Sequence, residues 1–366
     1  MKRRTFLEAG VALGLSSPLW GAARRGAFDD AADVLAKSVA DGLVESAVLR
    51  VTRRGESYTR VFGQAKSADA LFLLGSITKP ICITALMTLY DRGEFALDDR
   101  VEKFLPQFQG GERSRVTLRH LMSHVSGLPD QLPENDRLRA SHAGLEEFVA
   151  QALRTPLAFV PGTRYQYSSM GILLASHVAE RISGTTIHTL TQEAVFNPLG
   201  MERAALGLGK FQFDELLPCQ VQHAAPEAGG GDPATAGWDW NSPYWRKLGA
   251  PWGGAHVAAP DLEKFLAEFL SAQGQCVQPE TARQMVANQN GKGITPRGLG
   301  FAVGQPPGNS RFSEKTFGHT GSTGTLARAD PETETICIVL TSLPARAIDP
   351  HPRDQAAQLV ASATKD

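Results

Sequence analysis

Gly75-Ser76-Ile77-Thr78-Lys79 places a hydroxyl and an amine three residues apart at the start of a long apolar run. On a helix, residues at that spacing share a face with their β-carbons about 5–6 Å apart, so the amine reaches the hydroxyl. A serine hydroxyl attacks well only when a neighbouring base takes its proton. A lysine serves as that base only if burial or another cation lowers its pKa. The helix start adds free N–H groups and positive potential, which suit an oxyanion and disfavour the ammonium form. Alone, Ser-x-x-Lys also describes a capping serine followed by a surface lysine. The apolar Leu71-Phe72-Leu73-Leu74 in front of it argues against a solvated cap.

Two further segments carry matching chemistry. Pro161-Gly162-Thr163-Arg164-Tyr165-Gln166-Tyr167-Ser168-Ser169 reads as a turn feeding a helix, with a tyrosine and two hydroxyls near the helix start. Phe317-Gly318-His319-Thr320-Gly321-Ser322-Thr323-Gly324-Thr325 is a strand or turn of small residues whose glycines let a ligand approach the backbone. Serine, lysine, tyrosine and a glycine-lined strand are the parts of an acyl-transfer site.

At these residues the sequence resembles the serine β-lactamase and penicillin-binding protein superfamily, in particular the class C-like branch that also holds esterases and D-aminopeptidases. Ser76 to Lys79 matches its first element, Tyr167-Ser168-Ser169 falls on its Tyr-x-Asn, and His319-Thr320-Gly321 matches its Lys-Thr-Gly or His-Thr-Gly. Val116 to Pro129 (VTLRHLMSHVSGLP) is similar to a stretch common in that branch, and the resemblance runs from about residue 28 to 363. It implies an acyl-enzyme on Ser76, with Lys79 and Tyr167 sharing the proton, and an oxyanion hole made by the N–H groups of Ser76 and Ser322. It puts His319, Thr320 and Gly321 along the substrate and Ser169 where the family's asparagine holds a substrate amide. No metal or organic cofactor is implied. The expected partner is a small ester or amide, or a short peptide.

Two departures shape the expected substrate. Ser169 is shorter than asparagine and cannot offer both an amide donor and an amide acceptor. His319 in place of lysine removes a fixed cation and leaves a group charged only below about pH 6.5. Both favour a neutral ester or a different amide over a carboxylated antibiotic. The reading is an exported serine hydrolase. A peptidoglycan-directed D-aminopeptidase or carboxypeptidase, a β-lactamase, and a non-catalytic binding protein that retains the cleft stay open as alternatives.

Other candidates fit less well. His120 and His124 have the i, i+4 spacing of a zinc pair, but Leu121 and Met122 stand where His-Glu-x-x-His needs its glutamate, so a structural role is expected. The aromatic cluster Trp238 to Trp252 could equally pack beneath a loop or line an acyl pocket. Cys82, Cys219, Cys276 and Cys337 follow no Cys-x-x-Cys spacing, which excludes zinc ribbons and redox motifs.

The elements that must hold these residues follow from periodicity. A helix is expected over Phe28 to Val44, a hairpin over Val48 to Thr52 and Tyr58 to Phe62, and a buried helix from Ser76 to Tyr90. Short helices follow at Val116–Ser123, Gly144–Arg154, Met170–Ile182 and Thr186–Phe196, then one at Asp261–Ala272. Strands return at Leu299–Val303, Thr325–Ala329 and Thr335–Leu343, before a last helix at Pro352–Ser362. This predicts an α+β fold of the β-lactamase/transpeptidase type: one antiparallel sheet flanked by the N- and C-terminal helices, plus a mainly helical lobe. The expected division is an α/β lobe of residues 24–100 and 250–366 and a helical lobe of 101–249.

The 366 residues are 42% hydrophobic and 20% charged, which excludes disorder and coiled coil. Lys+Arg 37 against Asp+Glu 38 leaves −1, with no block of five like charges to gather nucleic acid or anionic lipid. Lys2-Arg3-Arg4 ahead of a weakly apolar run, ending at Gly21-Ala22-Ala23, reads as a twin-arginine export signal over residues 1–23, implying a periplasmic location. No later run reaches about 18 apolar residues, so a permanent membrane span is not expected.

Overall fold

The computed structural model describes residues 19–305 and 311–364. The helices are α1 (Leu19–Ala40), α2 (Thr78–Asp91), α3 (Leu118–Met122), α4 (Asn135–Ala140), α5 (Leu145–Ala152) and α6 (Ser169–Ser183). They continue as α7 (Ile187–Thr191), α8 (Pro243–Leu248), α9 (Ala259–Ser271), α10 (Pro279–Met285) and α11 (Pro352–Ala363). The strands are β1 (Ser46–Arg53), β2 (Glu56–Gly63), β3 (Phe72–Leu73), β4 (Ala204–Leu206) and β5 (Ala255–Val257). Four more, β6 (Ala302–Val303), β7 (Phe317–Gly321), β8 (Thr325–Asp330) and β9 (Thr335–Thr341), come from the C-terminal third.

Six strands form an antiparallel sheet in the order β2-β1-β9-β8-β7-β6, so β9 from the chain's end lies between β1 and β8. Residues of β9 alternate between two cores. Cys337 and Val339 pack with Phe28 and Leu35 of α1 and Val360 of α11. Ile336, Ile338 and Leu340 face the larger core that contains Phe265, Phe269 and Phe301. Burial on both faces explains why this strand reads as an unbroken apolar run rather than an alternating one. The antiparallel sheet, with both terminal helices packed on one face and the larger core on the other, is the predicted α+β architecture.

Several expectations need correction. A second sheet of three short strands, β3-β5-β4, is present where one sheet was expected, because strands of two or three residues carry too little pattern to be seen. The strand expected at Leu299–Val303 shrinks to β6, with Gly298 and Gly300 in the turn before it. Helix α1 begins at Leu19 and ends at Ala40, before Gly42 at φ +73°. Residues 1–18 of the expected export signal lie outside the described residues. No helix among the described residues is long and apolar enough to cross a membrane. All four cysteines are free, three of them buried.

Helix α2 is buried from Thr78 through Leu89, which makes it a rigid post at the centre of the larger core. The backbone leading into it is clamped from the far end of the chain. Thr323 Oγ1 donates to the Leu73 carbonyl at 2.7 Å, and Thr325 Oγ1 donates to the Leu74 carbonyl at 2.6 Å. Gly321 permits that approach, since a β-carbon there would lie 2.1 Å from the Leu74 oxygen.

Candidate active site

Ser76 sits in a 3-10 turn, Gly75–Ile77, that runs directly into α2. Gly75 has φ +57°, and a β-carbon on it would meet Thr323 Oγ1 at 2.9 Å and Ser322 N at 3.2 Å. The turn carrying Ser76 therefore lies against the backbone N–H of Ser322. Ser76 and Ser322, the two expected oxyanion donors, line one cavity of about 120 Å³.

Lys79 follows one turn later and is 1% exposed. Its Nζ donates to Ser76 Oγ at 2.9 Å and to the Trp252 carbonyl oxygen at 2.8 Å. Burial lowers its pKa from 10.5 to about 7, with the Asp130 carboxylate opposing and the Arg297 guanidinium reinforcing the shift. The amine is thus available as a base near neutral pH.

Tyr167 is carried by the extended segment before α6. Ser168 caps that helix: its Oγ accepts from Gly171 N at 2.8 Å and donates to the Pro129 carbonyl at 2.9 Å. Its N–H donates to His124 Nδ1 at 3.1 Å, and the His124 ring lies 4.6 Å from the Tyr167 ring. The ring of Tyr167 faces Lys79 Nζ at 4.8 Å. Its hydroxyl is buried without a hydrogen-bond partner. Burial pushes its pKa up, while Arg297 and the nearby Ser76 hydroxyl pull the other way, so it keeps its proton at neutral pH.

His120 and His124 do not form a pair. His120 makes a capping box with Thr117 at the start of α3, whereas His124, at φ +61°, supports Tyr167. The expected structural role describes both: His120 caps α3, and His124 packs behind Tyr167. Among the described residues no cluster of His, Cys, Asp and Glu is placed to hold a metal.

Ser169 lines the same cavity, yet its hydroxyl donates to Asp130 Oδ1 at 2.6 Å and its N–H donates to the same oxygen at 3.0 Å. The side chain that meets a ligand at this position is therefore Asp130 as much as Ser169.

His319, Thr320, Gly321 and Ser322 line a second cavity of about 380 Å³, which also touches Ser76 and Tyr167. The expectation that His319 leaves the cleft without a fixed cation is overturned. Arg297 lies with Nη2 3.4 Å from His319 Nε2 and its guanidinium 5.3 Å from the Tyr167 ring. Burial, then Arg297 and Lys79, hold the His319 pKa well below its usual value, so the histidine is neutral and the arginine carries the charge. His319 Nδ1 meets the Thr320 carbonyl oxygen at 2.7 Å. Arg328 and Arg353 bring two more guanidiniums to the same cavity; Arg353, paired with Asp354, also donates from Nη1 to the Gly321 and Thr325 carbonyls at 3.1 Å each. Arg297 had no visible signal in sequence, since it lies in a Gly-rich loop 22 residues before its partner.

The aromatic cluster divides. Trp240, Trp245 and Trp252 are buried in the wall of the 120 Å³ cavity, while Trp238 does not reach it. The arrangement can activate a hydroxyl, hold an oxyanion between two N–H groups and enclose an acyl group.

The fold agrees with what comparison with known proteins finds. The model of the beta-lactamase family matches residues 31–362, and the chain belongs to that family. It is 35% identical over 178 residues to Esterase EstB of Burkholderia gladioli, covering 42% of this chain and 45% of that protein. A Putative D-alanyl-D-alanine carboxypeptidase of Escherichia coli K12 is 25% identical over 339 residues, covering 78% of this chain and 75% of that protein. The match to EstB thus spans less than half of that relative, and the match to Penicillin-binding protein 4* of Bacillus subtilis spans 38% of it. Among solved structures, EstCE1, a hydrolase with promiscuous acyltransferase activity, superposes with a TM-score of 0.73 at 21% identity over 92% of this chain and 100% of its own. D-amino acid amidase from Ochrobactrum anthropi SV3 gives 0.73 at 20% identity over 94% and 99%. The superfamily is one of serine hydrolases, with an esterase and a putative carboxypeptidase among the relatives.

Proposed function

We infer that the chain hydrolyses an ester or amide through an acyl-enzyme on Ser76. The observation that carries this reading is the buried Lys79 amine, 2.9 Å from the Ser76 hydroxyl with its pKa lowered to about 7. The neutral amine takes the Ser76 proton as Oγ attacks the carbonyl carbon, and the developing oxyanion falls to the N–H groups of Ser76 and Ser322. The carbon–leaving-group bond then breaks. Tyr167, protonated at neutral pH, hands its proton to the leaving oxygen or nitrogen and is refilled from Lys79. Water attacks the acyl-enzyme by the same route in reverse and returns the Ser76 hydroxyl. The twin-arginine pattern supports an exported enzyme, which a reporter fused after residue 23 would test.

A second reading, a peptidase or amidase acting near a substrate carboxylate, is favoured by Arg297 and Arg353 beside the 380 Å³ cavity. The test of the first reading is the mass of the intact protein after exposure to a fluorophosphonate and to activated esters. One adduct, absent in Ser76→Ala, is expected. No adduct with any acylating probe would refute the reading. Comparing esters with neutral and carboxylated leaving groups then separates the two readings.

A further inference from the structure

The 120 Å³ cavity that Ser76 and Lys79 line is also walled by Asp130, Gln131, Arg139, Glu227, Trp240 and Trp245. A 150 Å³ apolar cavity holds a benzene-sized group, so this one takes about five heavy atoms. That wall is not apolar. Arg139 is 1% exposed, with its guanidinium 3.9 Å over the Trp245 ring and its Nε donating to Asn135 Oδ1 at 3.0 Å. Its Nη1 is buried with no partner. Two other buried atoms of the same wall are also unpartnered: the donor Trp245 Nε1 and the acceptor Gln131 Oε1. Buried polar groups in folded proteins are almost always satisfied, so three orphans around one small space mark where a ligand's polar group belongs.

The kind of group follows from counting. The wall offers two donors and one acceptor, and a hydroxyl has two lone pairs and one proton. Charge excludes the obvious competitor. A carboxylate would pair with Arg139 but would face both Asp130 and Glu227 across the same cavity. A neutral hydroxyl supplies the two acceptor sites and the one donor that these atoms lack, and it meets no charge repulsion. An alkyl chain of the same size leaves them buried and unpaired.

We propose that the Arg139–Trp245–Gln131 wall of the cavity selects a short hydroxyacyl group, making the preferred substrates esters or amides of small hydroxy acids. This rests on the reading of Ser76 as the acylated residue. The hydroxyl accepts from Arg139 Nη1 and Trp245 Nε1 and donates to Gln131 Oε1, while the scissile carbonyl stays at Ser76.

The test compares kcat/KM for both enantiomers of ethyl 3-hydroxybutyrate with that for ethyl 3-methylbutyrate, which has nearly the same shape without the hydroxyl. Monoethyl succinate is the anionic arm. One enantiomer of the hydroxyester should exceed the methyl analogue by about tenfold or more, with the succinate ester below it. Arg139→Met and Gln131→Leu should each bring the ratio toward one; Gln131 is half-buried, so its variant remains informative if loss of Arg139 disturbs folding. Equal or faster turnover of the methyl analogue, or preference for the succinate ester, would overturn the proposal. A second measurement does not depend on turnover. In Ser76→Ala, 3-hydroxybutyramide should raise the melting temperature and 3-methylbutyramide should not, and equal shifts would overturn the proposal. Failure of Ser76 to take any acyl label strikes the hydrolase reading instead, and the amide binding result still decides the pocket's chemistry.

Discussion

Lys79 Nζ has two hydrogen-bond partners, Ser76 Oγ at 2.9 Å and the Trp252 carbonyl at 2.8 Å, and neither is a carboxylate. The charged amine therefore gains no ion pair at contact distance to offset its burial. The pKa of about 7 is the result. Trp252 fixes the amine's position, and Ser76 is left as the group it can deprotonate.

Activity should accordingly rise with pH. The neutral amine is the competent form, so kcat/KM should climb through about pH 7 and level off above it. Lys79→Met should lower kcat/KM by about 10²–10⁴ and abolish the titration. A pH–rate profile that stays flat from pH 5 to 9 would contradict the assignment.

The same amine should leave a mark on stability. Between about pH 7 and 10.5 the unfolded chain binds a proton at Lys79 that the folded chain does not, so unfolding free energy rises with pH across that window. The gain from this group is on the order of 5 kcal/mol at most. Below about pH 7 both states are protonated and the contribution is flat. Lys79→Met should remove this rise, which urea midpoints at pH 7 and 10 would reveal.

Tyr167→Phe separates catalysis from folding. The hydroxyl it deletes is buried with only the Ser76 hydroxyl near it and no well-formed hydrogen bond, so stability should change little. Turnover should nevertheless fall by about 10²–10⁴ as the proton relay is lost. A variant that is both unstable and inactive would indicate a structural role.

Arg297→Gln should raise the pKa of His319, because the guanidinium opposes protonation of that ring from 3.4 Å. Burial alone would still hold it below 6.5. A ring-proton titration by NMR reads this directly, and an unchanged pKa would show that the guanidinium does not act on the ring.

Gly321→Ala tests the clamp on the nucleophile's turn. A β-carbon there would sit 2.1 Å from the Leu74 oxygen and 2.2 Å from Thr325 Oγ1, so strand β7 must move away from Leu74. A loss of about 2–4 kcal/mol is expected from thermal or urea unfolding, with reduced labelling of Ser76. Wild-type stability in this variant would mean that the clamp gives freely.

Where the sequence carried periodicity or a local motif, the structure was legible in it. The apolar run of α2, the both-faces-buried strand β9, and Ser76 with Lys79 depend on neighbours one or two turns away. Tyr167 and His319 could be placed only through a resemblance, because nothing local says that residues 91 and 243 positions later come back to Ser76. Arg297, Asp130, Gln131 and Arg139 were invisible for a related reason. Each is an ordinary polar residue in a loop or short helix, and its meaning comes entirely from which cavity the fold turns it toward. Ser169 was half legible: its lack of an amide was plain, but its bond to Asp130 was not. The sheet β3-β5-β4 was missed because its strands are shorter than one period of any usable pattern.

The threonine clamp also sets the order in which the protein can come alive. Leu73 and Leu74 are held by side chains about 250 residues downstream, and the central partner of β1 is synthesised later still. A chain emerging from the ribosome thus carries Ser76 early, but the turn that presents it has no clamp until Thr323 and Thr325 have followed. A chain cut short before Thr323 therefore carries Ser76 on a turn that nothing yet holds in place.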